Sequence, residues 1–234
     1  PPPAPELLHL KFRLGQTRRP FSYESYALGD REIELVNRSK VVEGLVPGRD
    51  VKALAGRDVG GFLEAELAPG MREKFLVGTV GVFNGEGSGV NDKNKQKDLD
   101  LRLTARPRSW ISFGGSYTNG RLGQPAQVRD RKGVEIALKY GPFHVRSEYI
   151  YGRDHMTLKD GWYAHGNCML YKDKLMVSGR YEEFDPNKES HGDRQKQTTV
   201  GVNYRPLKEL RFTAALEMQR DRLKEDRGLF LVSL

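Results

Sequence analysis

Residues 98–107 read Asp-Leu-Asp-Leu-Arg-Leu-Thr-Ala-Arg-Pro. Leu99, Leu101, Leu103 and Ala105 take alternate positions, and Asp98, Asp100, Arg102, Thr104 and Arg106 take those between. Successive side chains of a β-strand point to opposite faces, so this segment is a strand with one apolar and one charged face. A helix would scatter the same residues around its axis. The pattern recurs at 211–220, where Phe212, Ala214, Leu216 and Met218 oppose Arg211, Thr213, Glu217 and Gln219. It recurs in Val134, Ile136, Leu138 and Tyr140 against Glu135 and Lys139, and in Val200, Val202 and Tyr204 against Thr199, Gly201 and Asn203. Leu10, Phe12 and Leu14 oppose Lys11 and Arg13 in the same way. Segments 75–84 and 161–171 are weaker, with apolar residues on both faces.

The links between these segments alternate in length. Pro107-Arg108-Ser109, Gly141-Pro142, 171–174 and 205–209 are short, whereas 85–97, 121–130, 153–160, 185–196 and 221–227 are longer and polar. The spacing predicts twelve strands at 8–20, 49–57, 74–84, 97–107, 110–120, 131–140, 143–152, 161–171, 175–184, 196–205, 210–220 and 228–234. On that scheme the 57–74 link is long where a tight turn is due, and 21–48 is the longest link. Trp110, Tyr140, Phe143, Tyr171, Tyr204 and Phe212 flank tight turns, and Tyr117, Tyr149, Tyr151, Trp162, Tyr181 and Phe184 lie near the opposite ends. Strands of about ten residues, tight turns on one side, long loops on the other and two aromatic girdles describe a transmembrane barrel. The tight turns are then periplasmic.

Composition is compatible with that reading. The 234 residues suffice for one all-β domain, carry 39 Lys+Arg against 31 Asp+Glu, and are +8 at neutral pH. The one cysteine, Cys168, forms no internal disulfide. No apolar run is long enough for a membrane-spanning helix. Low mean hydropathy is expected of a barrel, because only alternate residues meet lipid. The chain opens on Pro1-Pro2-Pro3-Ala4-Pro5, a turn or extended lead-in without a charged and then apolar leader; either the protein is cytoplasmic or a leader has been removed. The reading is an all-β, up-and-down transmembrane antiparallel barrel spanning 1–234 as a single domain. A soluble sandwich is the alternative, with aromatics in its core.

Several stretches, in order, resemble the phosphate-selective porin O and P family of bacterial outer-membrane channels. They are Leu14-Gly15-Gln16 through Arg19-Pro20-Phe21 with Glu24, Asn37-Arg38-Ser39, Pro47-Gly48-Arg49-Asp50 and Val80-Gly81-Val82-Phe83-Asn84-Gly85. Glu148-Tyr149, Gly161-Trp162-Tyr163, Arg180-Tyr181-Glu182 with Phe184-Asp185-Pro186, and Gly201-Val202-Asn203-Tyr204 continue it. The resemblance implies a sixteen-stranded homotrimeric barrel in the bacterial outer membrane, in contact with its lipid and passing small anionic solutes. The twelve strands here are then expected to lack four N-terminal strands and the extreme C-terminus beyond Leu234; a self-contained twelve-stranded barrel is the alternative. The 57–74 link departs from the family's tight turn after the Arg49-Asp50 strand.

Alternation assigns the polar face to the lumen. Lys11, Arg13, Lys52, Arg102, Arg106, Lys139, Arg146, Arg180, Arg205 and Arg211 are the candidate channel-lining cations, against Asp98, Asp100, Glu135, Glu148, Glu182 and Glu217. Ten against six favours anions, since rings of Arg and Lys suit anion and phosphate pores; the competing reading pairs the cations with neighbouring carboxylates. Residues 21–48, as the third external loop the resemblance implies, are the candidate constriction. Ile33, Leu35, Val36, Val41, Val42, Leu45 and Val46 give the segment something to pack with, and a long loop is uncommon unless functional or disordered. Its cations Arg31, Arg38 and Lys40 are outnumbered by Glu24, Asp30, Glu32, Glu34 and Glu43, which argues against strict phosphate specificity.

Other chemistry is poorly represented. His144, His155, His165, His191 and Cys168 do not cluster; His165 and Cys168 fall on opposite strand faces. No nucleophile elbow is present, Gly85-Glu86-Gly87-Ser88-Gly89 precedes no helix, and the basic residues are too dispersed for nucleic acid. The expected function is a passive pore, anion-preferring, with no catalysis and no cofactor. A scaffold or sheath for a partner protein in an outer-membrane complex is the alternative.

Overall fold

A computed structural model describes residues 8–52, 56–67, 75–171, 174–190, 192–207, 209–221 and 224–233. The proline-rich lead-in, His191 and parts of the 171–174, 205–209 and 221–227 links lie outside them. The strands are β1 Leu8–Arg18, β2 Arg57–Leu67, β3 Leu76–Phe83, β4 Asp98–Arg108, β5 Ile111–Leu122 and β6 Gln127–Tyr140. They continue as β7 Phe143–Asp154, β8 Thr157–Tyr171, β9 Leu175–Asp185, β10 Gln195–Leu207, β11 Leu210–Asp221 and β12 Lys224–Ser233. Each pairs antiparallel with its sequence neighbour in one twelve-stranded sheet, ordered β1 to β12. Among the described residues β1 and β12 do not pair with each other, so the sheet is not closed.

The second strand is a correction. It runs over 57–67, not 49–57, and the expected 57–74 link is largely β2 itself. Gly48, Lys52 and Gly56 have φ of 89°, 55° and 64°. These left-handed residues cannot lie in an extended run. Gly60 and Gly61 dilute the β2 pattern, and Phe62 is an apolar residue on the charged side. The departure from length alternation therefore disappears. The candidate constriction also holds more secondary structure than expected: a π-turn at Tyr23–Ala27, a 3-10 turn at Asp30–Glu32, and α1 at Lys40–Leu45.

The two faces of the sheet differ as the alternation requires. Leu101, Leu103, Val134, Val200 and Leu216 are 39–60% exposed on the outer face. Asp98, Asp100, Arg102, Glu135, Arg146, Arg180 and Glu182 are buried on the inner face. Among the described residues there is no second sheet to cover the apolar side, so the medium must. Tyr140, Phe143, Tyr171 and Tyr204 stand exposed at the tight-turn ends; Tyr149, Trp162 and Tyr181 stand at the other. Phe184 departs from that girdle, packing inward against the core cluster.

The core lies between the inner face and residues 19–52. Phe21, Val41, Val42, Leu45 and Val46 pack with Ile150 of β7 and Tyr163 of β8. Six residues of helix are unstable alone. Here Ser39 caps α1 by accepting from the Val41 amide at 3.1 Å, and burial of Val41, Val42 and Leu45 contributes about 1.5–3 kcal/mol each. Gly161 makes the approach possible: a Cβ there would lie 2.8 Å from the Val41 side chain.

Candidate channel lining and constriction segment

Residues 19–52 are fastened to the inner face by charge pairs out of water. Arg19, following β1, donates through Nε and Nη2 to Asp100 of β4 at 2.8 and 2.6 Å, and through Nη1 to Asp98 at 2.6 Å. Asp98 also accepts from Arg129 of β6 at 2.8 Å and from the Arg121 amide at 2.8 Å. At the far end of the segment, Asp50 receives Arg129 at 3.3 Å and Arg131 at 2.9 Å. Arg131 Nε also donates to the Leu45 carbonyl at 2.7 Å, a C-terminal carbonyl of α1.

The middle is held from β7 and β9. Arg146 reaches Glu34 with two bonds of 3.0 and 2.9 Å, and Glu24 at 3.3 Å. Glu148 accepts the Tyr23 and Glu24 amides at 3.1 and 2.8 Å. Glu182 accepts from the Ser39 hydroxyl at 2.5 Å and the Lys40 amide at 2.8 Å, a carboxylate at the start of α1 where amides lack partners. Burial pushes the Glu24 carboxyl up, but Arg146, Arg180, the Ser39 amide and Arg38 outweigh it and hold it below the usual carboxylate range.

The candidate lining residues separate into two groups. Arg102 is paired with Glu135 of β6, one bond being 2.9 Å. Lys11 meets Glu66 at 2.5 Å. Arg180 donates to the carbonyls of Asn37 and Arg38 at 2.9 and 3.1 Å and lies 3.3 Å from Glu182. With Arg146, these cations hold the wall and the segment together. Lys52 is corrected: it is exposed in the turn before β2 and lies on no strand. Arg13 stacks over Phe62, 5.8 Å from the ring centre. Arg106, Lys139 and Arg205 have no carboxylate partner among the described residues, and Arg211 donates to the Arg31 carbonyl at 2.8 Å. These last four lie close to the tight-turn ends of β4, β6, β10 and β11.

In the segment, Arg38 pairs with Asp30 at 2.7 Å and donates to the Glu24 carbonyl. Lys40 donates to Gln219 of β11 at 2.6 Å. The Arg31 side chain is exposed. A cavity of about 540 Å³ separates this side of the segment from β10 and β11; Arg38, Lys40, Arg211, Glu43 and Glu217 line it. Towards the tight turns a second space, about 240 Å³, is lined by Tyr23, Glu34, Arg106, Lys139 and His144. His165 is buried on the inner face, whereas Cys168 is outward.

Arg19, Arg49, Asp50, Asp58, Arg129 and Arg131 were not among the candidate lining or constriction residues, although Arg19, Arg49 and Asp50 lie in stretches that carry the family resemblance. For Arg129 and Arg131 a signal existed: their spacing continues the inward set Glu135, Ala137 and Lys139 towards the loop. Arg19 and Asp50 carried no such periodic signal, because their roles depend on contacts with residues 98, 100, 129 and 131.

The pattern of the family described as phosphate-selective porin O and P matches residues 91–228. No curated protein matches the chain. Among solved structures, a triple mutant of the Rhodopseudomonas blastica porin aligns with TM-score 0.54 and 12% identity, covering 97% of this chain and 74% of that one. Two further mutants of that porin align with TM-scores of 0.52 and 0.51 at 12% and 11% identity, with the same coverage. At such identities the likeness is one of fold.

Proposed function

The chain belongs to the phosphate-selective porin O and P family, and from that premise we propose that its outer-membrane channel prefers anions, is narrowed by residues 21–48, and acts as a homotrimer. The observation that carries the anion preference is the imbalance left after pairing. Asp98, Asp100, Glu135 and Glu182 each lie against an arginine, whereas Glu148 accepts the Tyr23 and Glu24 amides and Glu217 accepts from the Asn37 side chain at 3.2 Å. Among the described residues Arg106, Lys139, Arg205 and Arg211 are without a carboxylate partner, exposed or half-buried on the inner face, and they outnumber Glu148 and Glu217, which accept from neutral groups. Fixed uncompensated cations concentrate anions and oppose cations along a pore. The acids in the segment, Asp30 and Glu43, face the cavity beside Arg38 and Lys40, so this reading favours small anions generally over phosphate in particular.

Planar-bilayer reversal potentials in a KCl gradient test it. The expected potential has the sign of chloride selectivity. Replacing Arg106, Lys139 and Arg205 with Gln should move it towards potassium, whereas Lys52→Gln should leave it unchanged. A potassium-selective parent channel would reject the assignment. Added phosphate should lower chloride conductance only modestly; tight block would show a phosphate specificity stronger than proposed.

A further inference from the structure

The outer face of β2 to β6 is not uniform. A groove of about 680 Å³ runs across it, bounded by Leu63, Val80, Leu101 and Leu103 and ending at Tyr117 and Lys132. Its floor exists because Leu103 has glycine on both sides, Gly78 of β3 and Gly115 of β5. Neither glycine is required by the backbone, since neither has a positive φ. A Cβ at either would come no closer than 3.9 Å to its neighbours, so the space is open.

The charge at the loop end of this groove is one-sided. Lys132 stands on the outer face between Tyr117 and Tyr151, exposed and without an acidic partner among the described residues. Next along β6, Asp130 is shared by Arg153 at 2.7 Å and Arg121 at 3.8 Å. Three cations and one carboxylate therefore crown an apolar groove at the level of the aromatic girdle. We propose that this face binds one anionic membrane lipid, its phosphate headgroup on Lys132, Arg153 and Arg121 and an acyl chain in the groove over Gly78 and Gly115. The charge complements a lipid phosphate, and the groove takes a flexible chain that a flat strand face would not hold. The inference rests on the outer face meeting lipid, as the barrel reading requires.

The test is native mass spectrometry of the full chain in detergent, titrated with phosphatidic acid, with phosphatidylcholine of the same chains, or with inorganic phosphate. Phosphatidic acid should be retained at one per chain, in preference to phosphatidylcholine, and inorganic phosphate should not displace it. Lys132→Gln should weaken retention about fivefold, the worth of one basic side chain at an anionic surface. Gly115→Leu, which fills the groove with a side chain that lipid tolerates, should weaken it by a similar factor. Both variants should keep the heat-modifiable folded form and the parent conductance. Unchanged retention in either variant overturns the proposal, as does displacement by inorganic phosphate. A change in oligomeric mass in Gly115→Leu also overturns it, because a second copy would then occupy the groove. Loss of conductance in the parent protein would instead count against the channel reading.

Discussion

Asp98→Ala tests the fastening of the constriction segment most directly. Asp98 is fully buried and accepts three hydrogen bonds, from Arg19 at 2.6 Å, Arg129 at 2.8 Å and the Arg121 amide at 2.8 Å. Removing one partner of a buried ion pair costs about 3–5 kcal/mol, because the remaining charge is stranded. Two features place this case at the lower end. Arg19 keeps its two bonds to Asp100, and Arg129 keeps Asp50 and the Gly85 carbonyl at 2.6 Å. The expected loss is therefore about 3 kcal/mol. Asp98→Asn retains an acceptor oxygen and should lose roughly half as much. Asp130→Ala is the control: its partner Arg153 is 48% exposed, and an exposed pair is worth about 0–1 kcal/mol. Urea unfolding of the vesicle-inserted protein, followed by tryptophan fluorescence, measures all three. Single-channel recordings of the Asp98→Ala protein should show a noisier and larger conductance, since the segment loses its tether near β1. A loss no greater than that of Asp130→Ala would refute the argument that this buried cluster fixes the segment.

Deleting residues 28–43 should raise single-channel conductance severalfold, and unchanged conductance in a folded deletion protein would place the narrowest point elsewhere. Leu101→Arg, on the outer face, should cost about 2–4 kcal/mol in bilayer unfolding, whereas Thr104→Arg on the inner face should be tolerated; equal costs would reverse the facing of β4. Acidification should loosen the segment through Glu24: a carboxyl held below its ordinary value stabilises the fold fully above about pH 4.3 and loses that contribution as pH falls below it. Glu24→Gln should remove this part of the pH dependence of conductance noise, and an unaltered profile would assign it to another group.

Most of the sheet was legible because its signal is local. Leu99, Leu101 and Leu103 against Asp98, Asp100 and Arg102 need no partner strand to declare their two faces. The strands from β3 to β12 were readable from alternation and turn residues, most weakly at β3 and β8, and β6, β8 and β12 start four residues earlier than expected. β2 was not, because Phe62 faces inward against Tyr26, their rings 5.9 Å apart, and so breaks the alternation. An apolar residue on a charged face makes sense only once a loop from elsewhere lies over it.

Apart from β2, the sequence by itself determined where the strands lie, their order and facing, and which side carries the tight turns, since period, turn chemistry and aromatic placement are properties of neighbouring residues. Only the tertiary structure decided which cations remain available to a solute. Arg102, Arg146 and Arg180 looked equivalent to Arg106, Lys139 and Arg205 along their strands. The first three are engaged by Glu135, by Glu24 and Glu34, and by the carbonyls of Asn37 and Arg38. The acids and carbonyls of residues 24–38 reach β7 and β9 from more than a hundred positions away in the chain. Charge is written in the sequence residue by residue, but its neutralisation is a distance: for Arg102 it exists only once β4 and β6 lie in one sheet, and for Arg146 and Arg180 only after the segment that follows β1 has folded onto the wall.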